Sequence, residues 1–242
     1  MILYPAIDIQ GGKAVRLRRG DFEQVTVFAE DPVRLAVQWQ EQGAEALHVV
    51  DLDAARTGEL VGFETVAAIV EAVRIPVQYG GGIRTQDSLH LVAGTKVRWA
   101  VLGTAAVTGG DLLDTAIQVL GDRLVVGVDC DEGMVATHGW QQRSQMSAQH
   151  FLHYLEERGV QRVVYTDVVR DGMLGGPNLE QLEELAAAVK LTMVLSGGVA
   201  GLDDLRRLCR LSAPNVDGVI VGRALYEKTF TLAEAMAVLR QC

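Results

Sequence analysis

Eight short, continuously apolar runs alternate with segments of helical period along the whole chain. The runs are Ile2 to Asp8, Ala46 to Asp51, Ile75 to Tyr79, Val97 to Gly103, Leu124 to Asp129, Arg162 to Asp167, Thr192 to Ser196 and Asp217 to Gly222. Strands that face solvent on one side alternate apolar and polar residues. Uninterrupted apolar runs point to strands buried on both faces, as in a parallel sheet covered by helices. The helical segments carry readable ends. One starts at the cap Asp31 with Pro32 in the first turn, passes Ala36 and Trp39, and stops at Gly43. Others follow Thr85, Ser147, Asn178, Leu202 and Thr231, with Gly94 and Gly159 as stops. No Gly/Ser/Pro-rich linker divides the 242 residues, so residues 1–242 read as one α/β domain. A (β/α)8 TIM barrel is the first choice and an open, doubly wound sheet the weaker one.

An internal repeat favours the barrel. Gly43-Ala44-Glu45 leading to Asp51 matches Gly159-Val160-Gln161 leading to Asp167, displaced by 116 positions (159 − 43). Gly80-Gly81-Gly82-Ile83 matches Ser196-Gly197-Gly198-Val199 at the same displacement (196 − 80). Val101-Leu102-Gly103-Thr104-Ala105 matches Ile220-Val221-Gly222-Arg223-Ala224, and Asp8 matches Asp129. Such duplication predicts two similar half-barrels, approximately 1–121 and 122–242, closed about a pseudo-twofold axis.

In barrels of this kind the reacting groups sit where strands end and loops begin. Strands 1 and 5 lie opposite one another, so Asp8 and Asp129 should face each other across the mouth. The glycine turns after strands 3 and 4 (Gly81, Gly82, Gly103, Thr104) should oppose those after strands 7 and 8 (Gly197, Gly198, Gly222, Arg223). Glycine lets backbone N–H groups approach an anion closely, and Ala224 to Glu227 has the length of the short extra helix common after strand 8. Two phosphate cups flanking two carboxylates fit an elongated bisphosphate. A lone Gly-Gly turn is more often just a turn, and an Asp closing a strand is often a helix cap. The symmetric pairing argues against the first, and Ile9-Gln10-Gly11-Gly12, which opens a loop after Asp8, against the second for Asp8; for Asp129 it stays open, since Asp131 two residues on would share its face.

The remaining inventory excludes several classes. A net charge of −9 disfavours nucleic acid, which needs clustered Lys and Arg. The first residues lack a basic stretch before their apolar run, and no segment has the apolar length of a membrane span, so a cytoplasmic protein without membrane contact is expected. Cys130, Cys209 and Cys242 are odd in number and lack metal-ligand spacing, which suits a reducing compartment. Cys130 should point into the helix layer as a small core residue. His48 should face outward, and His90, His150 and His153 should lie on helices. Glu180, Glu183 and Glu184 read as a solvated helix face, and Met134, Met146 and Met173 as loop residues. No metal site and no cofactor are expected.

The motifs assembled in this way resemble those of a known family. They are Pro5-Ala6-Ile7-Asp8-Ile9-Gln10-Gly11-Gly12-Lys13-Ala14-Val15-Arg16-Leu17, His48 to Asp53, Gly80 to Arg84, Thr166-Asp167 with Arg170 to Leu174, and Ser196 to Val199. In that order they are similar to the phosphoribosylformimino-AICAR phosphate isomerases of histidine biosynthesis, over essentially the whole chain. The resemblance implies an Amadori rearrangement of an aminoaldose to an aminoketose, with Asp8 as general base, Asp129 as general acid, and Thr166 and Asp171 in support. It adds Arg16, Trp140, Gly176 and Ser196 to the glycine turns as substrate- and phosphate-binding positions. It also implies a metal-free, cofactor-free monomer whose partner is its small bisphosphate substrate.

Three rivals stay open on the sequence. The cyclase subunit of imidazole glycerol phosphate synthase resembles the same duplicated barrel, but opens with Cys-Leu-Asp and carries lysine near Val15-Arg16-Leu17. Bifunctional isomerases that also take phosphoribosylanthranilate resemble this chain at Gly175 to Leu179 and Leu202 to Leu205. They meet the anthranilate carboxylate with an arginine beside a tryptophan after strand 5, and have serine where Gly80 stands here. In this chain His138 precedes Trp140, with Arg143, Arg16 and Arg19 as reserve cations, so a largely dedicated isomerase is expected. An inactive phosphate-binding barrel is the third rival.

Overall fold

The computed structural model describes residues 1–18, 21–108, 110–137, 139–140 and 142–242, with the backbone alone for Arg18, Asp21 and Glu23. The eight apolar runs become the strands of a closed parallel barrel: β1 (Ile2–Gln10), β2 (Leu47–Asp51), β3 (Val77–Gly80), β4 (Trp99–Leu102), β5 (Leu124–Asp131), β6 (Arg162–Asp167), β7 (Thr192–Ser196) and β8 (Val216–Val221). Each strand pairs in parallel with its neighbour, β5 meets β6, and β8 returns to β1 through Ile2↔Gly218 and Pro5↔Val221. The fold is a (β/α)8 barrel.

Closure divides the apolar residues into two cores. Inside the barrel, Tyr4, Ala6, Ala46, Val125, Val164, Val194 and Ile220 pack on one another. The alternate residues of the same strands, such as Ile7, Val49, Tyr79, Val126 and Leu195, join the helices in a larger outer core. Cys130 belongs to that outer layer and is buried. Because both faces are covered, both positions of each strand must be apolar, which is why the runs are continuous. The helices begin where their caps predict: Asp31, Thr85, Ser147, Asn178 and Thr231 each accept a bond from a first-turn N–H. Leu202 is itself the first residue of its helix, preceded by Gly201.

Three expectations are corrected. The segments after β1 and β5 are not simple loops. Lys13–Arg18 and Asp21–Ala29 form an antiparallel hairpin beside β1, and Met134–Thr137 and Gln142–Ser147 form another beside β5. Met134 and Met146 therefore sit on strands. These strands lack a continuous apolar run: Lys13, Gln24, Thr26, Gln142, Arg143, Gln145 and Ser147 stand at exposed positions on them. The third correction concerns the cysteines: Cys209 and Cys242 form a disulfide with Cα atoms 5.0 Å apart, which ties the end of helix Leu202–Leu208 to the C-terminus. Cys130 is the free thiol. No helix among the described residues is long and apolar enough to cross a membrane.

Candidate active site

A cavity of about 280 Å³ opens at the C-terminal ends of the strands, near the lower limit of about 300 Å³ for small-molecule sites. Asp8 on β1 and Asp129 on β5 line it together with Arg16, His48, Thr166 and Asp171. Strand parity aims the first two inward, since Asp8 follows Tyr4 and Ala6, and Asp129 follows Val125, on the inner face. Asp171 arrives differently. Outward-facing Asp167 accepts bonds from Arg170 N (3.2 Å) and Asn178 Nδ2 (3.2 Å), and its carbonyl accepts from Asp171 N (3.0 Å). That folded turn hangs Asp171 over the mouth.

The three carboxylates have different surroundings. Arg16 Nη1 meets Asp8 Oδ2 at 2.6 Å, with both side chains mostly buried. Burial pushes the Asp8 carboxyl upward while Arg16 opposes the shift. Asp129 is also raised by burial, with Trp140 and Thr166 pulling it the other way. Asp171 is pushed up to about 6, first by burial, with the Asp8 and Asp129 charges adding and Arg16 opposing. A site holding carboxylates in unlike proton affinities is equipped to give a proton at one point and take one at another.

The glycine turns ring the cavity on both sides. Gly81 and Gly82 stand at φ 123° and 72°, Gly197 and Gly198 at φ 89° and 86°, conformations that side chains resist. A Cβ on Gly81 would overlap the Asp51 carbonyl, and one on Gly197 would come within 3.1 Å of the Asp167 carbonyl. Asp51 and Asp167 are equivalent in the sequence repeat, so both halves solve the same close approach in the same way. Among the described residues no set of three or more His, Cys, Asp or Glu is arranged to hold a metal.

The histidine biosynthesis protein family matches residues 2–231. The chain belongs to that family. Among its relatives, proteins named 1-(5-phosphoribosyl)-5-((5-phosphoribosylamino)methylideneamino)imidazole-4-carboxamide isomerase cover nearly all of it. The one from Desulforudis audaxviator is 48% identical over 241 residues, spanning 100% of this chain and 92% of the relative. That of Moorella thermoacetica is 46% identical over 98% of each chain. That of Thermoanaerobacter pseudethanolicus is 42% identical over 99% of this chain and all of the relative.

In this histidine biosynthesis protein nearly every residue singled out from the sequence reaches the one cavity. Gly81, Gly82, Gly103, Thr104, Trp140, Ser196, Gly197, Gly198, Gly222 and Arg223 all line it. Gly176 does not. Its N–H donates to the Gly198 carbonyl (3.0 Å), and it lies directly against the Gly198 turn. Arg143 lies on the hairpin and pairs with Glu132 at 2.9 Å, away from the cavity lining. His138 and Arg19 fall outside the described residues.

His48 was misplaced by the sequence reading. It points into the cavity, because β2 pairs with β1 through Ala6↔His48 and Asp8↔Val50, which puts His48 on the inner face. Its Nδ1 has no hydrogen-bond partner among the described residues. Burial, followed by the Arg16 charge, lowers its pKa to about 3, so the ring is neutral near pH 7. Phe22, from the first hairpin, and Arg84, after the Gly81-Gly82 turn, also line the cavity. Arg84 belongs to the Gly80 to Arg84 motif, whereas Phe22 stands in no motif.

Proposed function

We propose that this chain catalyses the isomerisation named in its relatives, the conversion of phosphoribosylformimino-AICAR phosphate to its phosphoribulosyl isomer in histidine biosynthesis. The observation that carries this reading is the placement of Asp8 and Asp129 on opposite strands of one cavity, between two glycine-lined rims. The length of a bisphosphate suits the two rims. Its reacting aminoribose then lies between the carboxylates.

The chemistry follows from that placement. An acid gives a proton to the ribose ring oxygen, the C1′–O4′ bond opens, and the nitrogen lone pair forms a protonated Schiff base. Asp8 then removes the C2′ proton, and the electron pair left behind flows into the C=N bond to give an enolamine. Tautomerisation yields the aminoketose, so no oxidant or reductant is consumed. The protonated Schiff base is already an electron sink, so no metal or cofactor enters this reading. Asp129 is the acid, with Thr166 orienting it. Asp171, coupled to Asp129 through their charges, shares the proton of that side. Gly81, Gly82, Gly103 and Thr104 form one phosphate cup; Ser196, Gly197, Gly198, Gly222 and Arg223 form the other.

The same reading takes the chain as one domain of two half-barrels near 1–121 and 122–242, supported by the matching hairpins after β1 and β5. A monomer suffices, since every proposed group comes from one chain. A cytoplasmic site of action fits a bisphosphate too charged to cross a membrane unaided. The decisive assay combines the purified chain with the bisphosphate, a chelator and no partner subunit. Appearance of the ketose supports the proposal; no turnover with the folded protein refutes it.

A further inference from the structure

Phe22 is a large apolar side chain in a polar stretch. The second strand of the first hairpin opens Asp21-Phe22-Glu23-Gln24, and a phenyl ring left in water there would be unfavourable. The structure covers it from two sides. Its Cε2 lies 3.9 Å from the Cβ position of Gly139, so it meets the second hairpin one residue before Trp140. The Arg56 guanidinium lies over the ring, 5.7 Å from the centroid. Phe22 also lines the cavity, as Trp140 does, so each hairpin brings one large aromatic side chain to the site.

Arg56 belongs to the helix Leu52–Thr57, which follows β2 and grips the first hairpin at two points. At the base, Asp53 Oδ2 accepts from the Gly11 N–H at 2.6 Å. Further out, Arg56 covers Phe22. Asp53 Oδ1 stands 3.8 Å from Arg56 Nη2, so one carboxylate holds the hairpin base and steadies the cation. Leu52 and Ala55 of the same helix line the cavity. The helix thus fixes the hairpin relative to a wall of the site.

A phenyl ring steadied by a cation offers its remaining surface to another flat ring, which aromatic pairs favour in offset or edge-on arrangements. The proposed bisphosphate has one flat aromatic part, the imidazole carboxamide; its two ribose phosphates are puckered and polar. We infer that Phe22 is the wall against which the imidazole carboxamide packs, and that Arg56 is a positioning residue that holds the phenyl ring in place. The inference rests on the bisphosphate reading given above and adds the residue that selects the planar part of the ligand.

The test is a calorimetric titration with two probes, aminoimidazole carboxamide ribotide and ribose 5-phosphate, the same sugar phosphate without the base. Phe22→Leu should weaken the ribotide ~3- to 10-fold, the range of an aromatic pair, and leave ribose 5-phosphate unchanged. Phe22→Tyr keeps the ring and should restore the ribotide. Arg56→Gln should weaken the ribotide ~3-fold, the scale of an exposed cation–ring contact, but not in the Phe22→Leu background, because it acts through the ring. Arg56→Lys keeps the cation and should match the parent. In turnover, Phe22→Leu should raise KM more than it lowers kcat. Equal loss of both probes in Phe22→Leu, or no loss of either, would overturn the role of Phe22. An Arg56→Gln effect that persists without the phenyl ring would overturn the positioning role. If the parent binds neither probe, the bisphosphate reading fails and this inference with it.

Discussion

Trp140 lines the same cavity as Asp129 and favours the charged form of its carboxyl from a backbone held at φ 70°. A non-glycine residue in that region costs about 1–3 kcal/mol and persists where the surroundings enforce it, often at functional sites. Asp8→Asn and Asp129→Asn should each leave folding intact and reduce turnover at least ~10²-fold, the scale of general acid–base catalysis. Trp140→Phe removes the indole that favours the charged form of Asp129. It should cost ~10-fold or more in kcat and raise the apparent pKa of the Asp129 side. Activity near that of the unmodified enzyme in both Asn variants would remove the pair from the mechanism.

Asp171 makes a prediction about stability. Its folded-state pKa of about 6 lies above the ordinary carboxylate value, so the folded form holds this proton more tightly than the unfolded chain. The stabilisation is complete below pH ~4 and lost as pH rises through the folded pKa. Asp171→Asn escapes that loss. The Tm of the variant relative to the parent should therefore climb between pH ~4 and ~6 and then level off. A Tm difference that is flat or falls across this window would show that Asp171 is not a buried, proton-holding carboxyl.

Crystals soaked in phosphate or sulfate should show two anions, one near Gly81, Gly82, Gly103 and Thr104 and one near Gly197, Gly198, Gly222 and Arg223. Gly198→Ala puts a methyl within 2.8 Å of the Gly176 carbonyl at φ 86°. The strain, about 1–3 kcal/mol, should distort that turn alone, raising KM ~10-fold while the other rim keeps its anion. Anions at a single rim of the unmodified protein would break the symmetry on which the bisphosphate reading depends.

Action on phosphoribosylanthranilate would need a cation to meet its carboxylate, best an arginine in the loop after β5. Arg143 is engaged by Glu132 at 2.9 Å and lies near Asp131 at 4.0 Å, so it is not available to the cavity, and Gly80 contributes no hydroxyl. Turnover of phosphoribosylanthranilate should be absent or orders of magnitude weaker than that of the bisphosphate. Comparable kcat/KM for both substrates from one preparation would overturn this expectation.

The sequence alone determined the barrel, most of its helix caps, the inward set of Asp8, Asp129 and the glycine turns, and the burial of Cys130. Each of these is written in local signals: apolar runs, cap residues, glycines and an internal repeat. What the tertiary structure decided has no local signal. His48 sits in a strand covered on both faces, where each parity mixes apolar and polar residues, His48 on one and Asp51 on the other; only the pairing of β2 with β1, Asp8 opposite Val50, assigns it to the cavity. Gly176 reads as part of a binding motif, yet it packs against the turn after β7 and stays out of the cavity lining. Cys209 and Cys242 are separated by 33 residues and meet only because the ring of helices brings the last residues back beside the end of helix Leu202–Leu208. Arg16 and Gly222 come from opposite ends of the chain, and closing β8 onto β1 is what puts a guanidinium where a side chain at 222 would stand.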